Sequence, residues 1–380
     1  MISKSRKILM VAGEASGDTL GAYLAAAMRR IDPSVRLYGV GGSAMREAGV
    51  DTIVDTAELS VMGFSELGRE IGRVLGTQRQ LRRELREFKP DLFVPIDFPD
   101  FNLPLCRVAK KSGVPVFYYV SPQVWAWRRR RIETIASTVT RMVVLFPFEA
   151  ELYRGRGVDA HFVGHPLAEN LAASRSRADV RTDLHVAEDQ QLVALLPGSR
   201  RREVEEMLPI MLEAAGELGP RVMAVVAEAP QLPEGFVGDV ITRHAKGYRA
   251  VARRRGEAYN LLAAADASFV TSGTATLESA LAGCPMVVAY RMSRLSYAIA
   301  RRLVKVPFIA MPNLLLDREV VCELVQDDAT PSRLAAEGRR ILEDAPLRER
   351  MTRDFAEICR LLTRPGSADR AAALAMELLA

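Results

Sequence analysis

The sequence predicts two doubly wound α/β domains in tandem, and three observations carry that expectation. Short apolar runs alternate with amphipathic stretches from the first residues onward, the pattern of parallel strands joined by crossover helices. The alternation pauses once, over the polar stretch 168–190, and then resumes. The length of 380 residues exceeds what one hydrophobic core commonly serves.

In the first half the strand-like runs are Lys7 to Gly13, Val35 to Val40, Asp91 to Ile96, Val114 to Val120, Arg141 to Phe146 and Ala160 to Val163. Stretches such as Thr19 to Ile31 and Ser65 to Phe88 repeat apolar residues at helical spacing, with Gly or Pro at the joints. After the pause come Gln191 to Leu196, Arg221 to Ala227, Ala267 to Thr271 and Met286 to Tyr290, again separated by helical patterns. From Ser332 to Ala380 the pattern is helical apart from a break at Pro365 and Gly366. The expected boundaries are therefore 1–170, 171–345 and a helical tail, 346–380.

Composition narrows the class. With 49% hydrophobic and 26% charged residues the chain is neither disordered nor a small disulfide scaffold. The longest apolar approach, Leu303 to Leu316, is broken by Lys305, Pro307 and Pro312, so no membrane span is expected. Lys4, Arg6 and Lys7 precede an apolar run too short for a signal peptide, and Glu14 and Asp18 follow at once. Cys106, Cys284, Cys322 and Cys359 have no paired spacing, and with four histidines no zinc cluster is expected, which reads as a reducing cytoplasm. The net charge is +5, and only seven of the 52 basic residues are lysine. Guanidinium suits phosphate recognition; the alternative reading of such an excess is the codon usage of a GC-rich genome, and composition alone does not separate the two.

Ligands of open parallel sheets bind beyond the carboxyl ends of the strands, and several of those ends carry unusual residues. Gly13-Glu14-Ala15-Ser16-Gly17-Asp18 is a small-residue loop before the helix expected at Thr19; its two acids argue against phosphate, and Asp18 also suits a helix N-cap. Asp97-Phe98-Pro99-Asp100-Phe101-Asn102 sets two carboxylates three apart among aromatics, where loss of water would raise one of them toward a working general base. Capping accounts for Asp100 or Asn102 but poorly for Asp97. Ser121 to Trp127 holds both tryptophans, Trp125 and Trp127, and leads into Arg128 to Arg131, either a phosphate or lipid grip or a solvated helix face over a core. In the second half Gly198, Ser199 and Arg200 open a helix, as do Ser272, Gly273 and Thr274, with Glu278 one turn on. Two such loops in one domain indicate a nucleotide-diphosphate site.

Taken together, GEASGD (13–18), VGGSAMREAG (40–49), VMGFSE (61–66), PIDFPDFN (95–102), YVSPQVWAW (119–127), FVGHPL (162–167), LPGSR (196–200), TSGTATLE (271–278) and MPNLLL (311–316) resemble the lipid-A-disaccharide synthase family. The resemblance runs in order from about residue 7 to 326. One departure is Leu316-Asp317-Arg318, where the family usually has a glycine-containing turn. The resemblance implies a GT-B glycosyltransferase: two doubly wound Rossmann-like domains with a cleft between them, an acceptor domain first and a UDP-sugar domain second. The tail would cross back to the first domain or join a partner, a second copy of the chain included. It implies transfer of 2,3-diacylglucosamine from UDP to 2,3-diacylglucosamine 1-phosphate, giving a β(1→6) disaccharide and UDP with inversion.

That reaction needs a base, for which Asp97 is the first choice and Asp100 and Glu14 are the alternatives. Gly198, Ser199, Arg200, Ser272, Gly273 and Thr274 would hold the diphosphate, with Glu278 and Asn313 orienting ribose or phosphate and no metal or other cofactor needed. Ser16, Asp18, Trp125 and Trp127 would serve the acceptor side. Both substrates are lipids, so the enzyme is expected on the cytoplasmic face of the inner membrane. Val61, Met62, Phe64, Leu67, Ile71, Val74 and Leu75, beside several arginines, have the composition of an interfacial helix, although a core-facing helix has the same period. Two rival readings are another UDP-sugar enzyme of this architecture, such as a UDP-GlcNAc epimerase or a polyprenyl-linked GlcNAc transferase, and a basic nucleic-acid-binding protein. The former leaves GEASGD and VWAW unexplained; against the latter, the basic residues are dispersed among 47 acids.

Overall fold

The computed structural model describes residues 5–56, 67–122, 124–125, 131–244, 251–293, 297, 301 and 306–379; of residues 15, 67–71 and 170 only the backbone is described. The chain forms two compact units, Met1–Glu169 with Leu362–Ala380, and Asn170–Leu361.

The first unit is a seven-stranded sheet of β1 (Lys7–Ala12), β2 (Arg36–Gly41), β3 (Asp51–Asp55), β4 (Leu92–Ile96), β5 (Phe117–Tyr119), β6 (Arg141–Val144) and β7 (Ala160–Phe162). The order is β3-β2-β1-β4-β5-β6-β7 with every pairing parallel. Side chains alternate across a strand, so β1 and β4 feed two cores. Ile8, Met10, Leu92, Val94 and Ile96 face α1 (Ala15–Ile31) and the C-terminal Ala371, Ala372 and Ala375. Leu9, Val11 and Phe93 face the opposite layer of helices. That layer comprises α3 (Leu67–Arg83), α4 (Pro99–Lys111), α5 (Arg131–Thr138) and α6 (Pro147–Arg154), while the short α2 (Ser43–Glu47) follows β2. Each fully buried aliphatic contributes about 1.5–3 kcal/mol, which is why the central strands read so plainly as apolar runs.

The second unit repeats the plan with β8 (Gln191–Leu196), β9 (Val222–Glu228), β10 (Val251–Arg255), β11 (Ala267–Thr271), β12 (Met286–Tyr290) and β13 (Glu323–Val325), in the order β10-β9-β8-β11-β12-β13. The pairings are again parallel. Two short helices, α7 (Pro166–Asn170) and α8 (Arg177–Asp183), span the polar stretch. The strands are joined by α9 (Arg201–Glu217), α10 (Phe236–His244), α11 (Ala258–Ala264), α12 (Thr274–Leu281) and α13 (Met311–Leu316).

The tail divides differently from the boundary expected at 346. After α14 (Pro331–Glu343), α15 (Ala345–Leu362) remains with the second unit almost to its last residue. The reason is its apolar stripe: Leu347, Met351, Phe355 and Ile358 are buried, and Arg318 reaches Asp354 and Glu357 at 2.9 Å each. The chain rejoins the first unit at Leu362, whose carbonyl accepts from the His165 amide at 2.9 Å. There Glu169 accepts from the Gly366 and Ser367 amides at 2.6 and 3.0 Å, fixing the start of α16 (Ser367–Met376).

Three strands have no counterpart among the expected apolar runs. β3 and β10 are sheet edges, half-exposed and polar, and β10 reads Val-Ala-Arg-Arg-Arg. β13, three residues long, is the other edge of its sheet. No helix among the described residues is long and apolar enough to cross a membrane.

Candidate active site

At the end of β4 the chain makes a turn that side chains rarely accept. Asp97 and Phe98 have φ of 44° and 46°, consecutive left-handed residues without glycine, at a cost of about 1–2 kcal/mol each. The turn ends the strand and starts α4 at Pro99, whose ring presets a first helical turn. Phe98 stacks on Phe101 with ring centroids 5.3 Å apart. It also covers Gly13 so closely that a Cβ there would lie 2.1 Å from Phe98 Cδ1. Glycine at 13 is thus required by the close approach of the ring.

Burial pushes the Asp97 carboxyl up to about 6, the negative charge of Glu14 adds to the rise, and the Phe98 amide opposes it. A group in that range is a competent base near neutrality. Asp100 is a weaker candidate: it is exposed, and its carboxylate is already paired with the Arg131 guanidinium. Glu14 is also exposed and sits at the N-cap position of α1, its side chain making no capping bond.

That helix begins at Ala15, a turn earlier than expected, so Ser16 and Asp18 lie in its first turn rather than in a loop. Asp18 is buried and accepts from the amides of Gly42, Ala44 and Met45 at 2.6, 3.0 and 3.1 Å. It caps the neighbouring α2, which withdraws it from the acceptor-side set. Ser16 is exposed.

Beyond β5, Trp125 is held by a residue the sequence reading passed over. Glu149 is 2% exposed; it accepts from Ser121 Oγ at 2.8 Å, from Trp125 Nε1 at 3.0 Å, and from the Leu145 and Phe146 amides at 3.3 and 3.2 Å. Trp125 also meets the Phe148 ring edge-on at 5.2 Å. The available signal was Pro147 with an acid two residues on, a helix start whose third residue turns back on its own amides. Burial pushes the Glu149 carboxyl up to about 7, and the four donors limit the rise. Because the folded pKa is raised, the stability this group contributes is full below its ordinary value near 4.5 and falls as pH climbs toward 7. The advantage of wild type over Glu149→Gln is therefore expected to shrink between pH 5 and 8. Urea unfolding followed by tryptophan fluorescence, which reports only on this unit, checks it; an equal difference at both pH values contradicts it. Trp127 lies outside the described residues, as do Val61, Met62 and Phe64 and the side chains of Leu67 and Ile71. In α3, Val74 packs on the core and so is not free for lipid, whereas Leu75 is 45% exposed.

In the second unit Gly198 has φ of 111°, and a Cβ there would lie 2.6 Å from Glu203 Oε2. This turn sends the Ser199 and Arg200 amides toward the Glu203 carboxylate at 3.2 and 3.3 Å, and the Arg200 guanidinium meets the same group at 3.0 Å. The geometry is a capping box at the start of a 17-residue helix, whose first donors close on a carboxylate of their own chain. The second loop also opens a helix: Gly273 has φ of 150°, Thr274 is the first residue of α12, and both are exposed. Ser272 Oγ donates to the Ile309 carbonyl at 2.9 Å. Glu278 is half-buried, and that loss of water raises its carboxyl above the usual range.

Asn313 has another task than ligand contact. It is 0% exposed, its Nδ2 donates to the Val321 carbonyl and Glu323 Oε1 at 2.9 and 2.8 Å, and its Oδ1 accepts from the Val320 and Val321 amides at 2.7 and 2.9 Å. With both ends used, it ties α13 to the start of β13. The Leu316-Asp317-Arg318 departure is accommodated by Asp317 adopting the left-handed conformation itself, φ 49°. Among the described residues no cluster of three or more His, Cys, Asp or Glu side chains is placed to hold a metal.

Two doubly wound parallel α/β units in one chain are the architecture of the GT-B class. Solved structures share the fold at low identity. The UDP-GlcNAc 2-epimerase of Neisseria meningitidis bound to UDP-GlcNAc matches with a TM-score of 0.63 at 12% identity, over 98% of this chain and 99% of that one. The calicheamicin glycosyltransferase matches with 0.62 at 16% identity, over 99% and 98%. Within that class, the chain belongs to the lipid-A-disaccharide synthetase family, whose model matches residues 8–376. Lipid-A-disaccharide synthases of Syntrophus aciditrophicus and Geobacter sulfurreducens are 45% and 40% identical to it, each over 99% of this chain and 98% of the relative.

Proposed function

We propose that the chain is an inverting glycosyltransferase joining UDP-2,3-diacylglucosamine to 2,3-diacylglucosamine 1-phosphate, with the β(1→6) disaccharide and UDP as products. Family membership over almost the whole chain supports the substrates, and the part-buried Asp97 carboxyl, raised to about 6, is the observation that carries the mechanism. Asp97 takes the proton of the acceptor 6-hydroxyl as that oxygen attacks the anomeric carbon. The bond from that carbon to the diphosphate oxygen breaks, and its electron pair leaves on UDP. Arg200 and the amides of Ser199 and Arg200 receive the diphosphate, which displaces the Glu203 carboxylate from the same donors; Ser272, Gly273, Thr274 and Glu278 complete the nucleotide side. Incubation with the two lipid substrates and mass analysis of the products tests the reading: a disaccharide 1-phosphate with stoichiometric UDP is expected, and a free 2-epimer or no coupled product overturns it.

The enzyme meets its substrates as a peripheral protein on the cytoplasmic face of the inner membrane. Leu75, exposed on α3 beside the exposed Arg73 and Arg79, supports an interfacial contact. Co-sedimentation with anionic vesicles is expected at low salt and is expected to weaken several-fold in Leu75→Glu; equal recovery of both proteins contradicts the contact.

A further inference from the structure

We propose that Tyr118 and Asn102 are positioning residues of the first site, holding the Asp97 carbonyl and thereby the left-handed turn on which the Asp97 carboxyl stands. The inference rests on the reading of Asp97 as the base. The turn takes the Asp97 carbonyl out of the sheet: the last register pair of β4 with β5 is Ile96 with Tyr119, and the Asp97 amide still donates to the Tyr119 carbonyl at 3.1 Å. Two side chains serve the carbonyl instead. Tyr118 Oη donates to it at 2.7 Å from a fully buried ring, and Asn102 Nδ2 donates at 2.9 Å.

Asn102 is the more telling of the two. Its amide nitrogen lies 2.9 Å from the Asp97 carbonyl and 3.4 Å from those of Val11 and Ile96, while its Oδ1 is buried with no hydrogen-bond partner. A stranded amide oxygen is unfavourable in a core, and an aliphatic side chain of the same size would fill the space without it. The amide is accounted for by its donors, which tie together the ends of β1 and β4 where Gly13 and Asp97 stand. Without these bonds, two consecutive left-handed residues are free to relax toward extended backbone, and the carboxyl moves with them.

The purified full-length enzyme tests this with Tyr118→Phe, which removes one oxygen and keeps the ring, and with Asn102→Leu as the stronger change. Tyr118→Phe is expected to lower kcat by about tenfold, the worth of one well-placed hydrogen bond. KM for both lipids and the UDP dissociation constant are expected to stay within about twofold. The acid limb of the rate profile is expected to move to lower pH as water reaches the carboxyl. In an Asp97→Asn background, Tyr118→Phe is expected to cost no further rate, because it acts through the missing group. An unchanged kcat in Tyr118→Phe, or a full second loss in the double variant, overturns the positioning role while leaving Asp97 as base. Wild-type turnover in Asp97→Asn alone overturns the base assignment and this role with it.

Discussion

Asp97→Asn is expected to lower turnover by about 10²- to 10⁴-fold, the range of general base catalysis. The amide keeps the size of the carboxyl but cannot take the acceptor proton. The loss should fall on kcat, with substrate affinities changing little. Because burial raises the Asp97 carboxyl to about 6, the ionised form is unfavourable to folding above that pH. The Asn variant is therefore expected to melt no lower than wild type at pH 8, which separates lost chemistry from lost structure. In wild type, kcat/KM should climb with pH through about 6 and level off above it. Glu14 contributes to that position through its negative charge. Glu14→Gln should ease ionisation of Asp97 and carry the limb to lower pH; a limb that stays in place contradicts the coupling.

The second large effect is expected at Arg200. Arg200→Met should reduce kcat/KM by about 10²- to 10³-fold, the loss on removing one preorganised donor from a developing charge, and should weaken UDP binding. Stability should be nearly unchanged, because the guanidinium is 73% exposed and its pair with Glu203 is a surface one. Steady-state kinetics with UDP titration measures both. Activity is expected to persist in EDTA. Loss of activity on chelation, restored by magnesium, would transfer the leaving-group role from Arg200 to a metal.

The legible parts of the fold were those in which burial leaves a local signature. β1, β4, β8 and β11 lie inside their sheets, covered on both faces, so Lys7–Ala12 or Ala267–Thr271 can consist of little else than apolar residues. β3 and β10 are edges with one side in water, and Asp51–Asp55 and Val251–Arg255 carry no such run. Site residues sorted in a similar way. Asp97 stood out because a carboxylate inside a strand end has few structural uses. Asp18 and Asn313 looked equally suited to ligands, yet the partners that occupy them are 24 to 27 and 7 to 10 residues away. Glu149 was overlooked for the converse reason: an acid in the first turn of a helix is commonplace, and nothing local says that Ser121 and Trp125 will cover it.

The sequence by itself determined two doubly wound units, the family, and the strand ends where chemistry gathers, because hydrophobic period and glycine-rich turns are local properties of the chain. Tertiary structure decided which polar groups remain available once folding has used the rest. A carboxylate near three amides becomes a helix cap, as Asp18 does, and one drawn out of water without a cation is raised toward neutrality, as Asp97 is. The difference lies in desolvation and in partners brought from distant segments, and neither is set by neighbours in sequence.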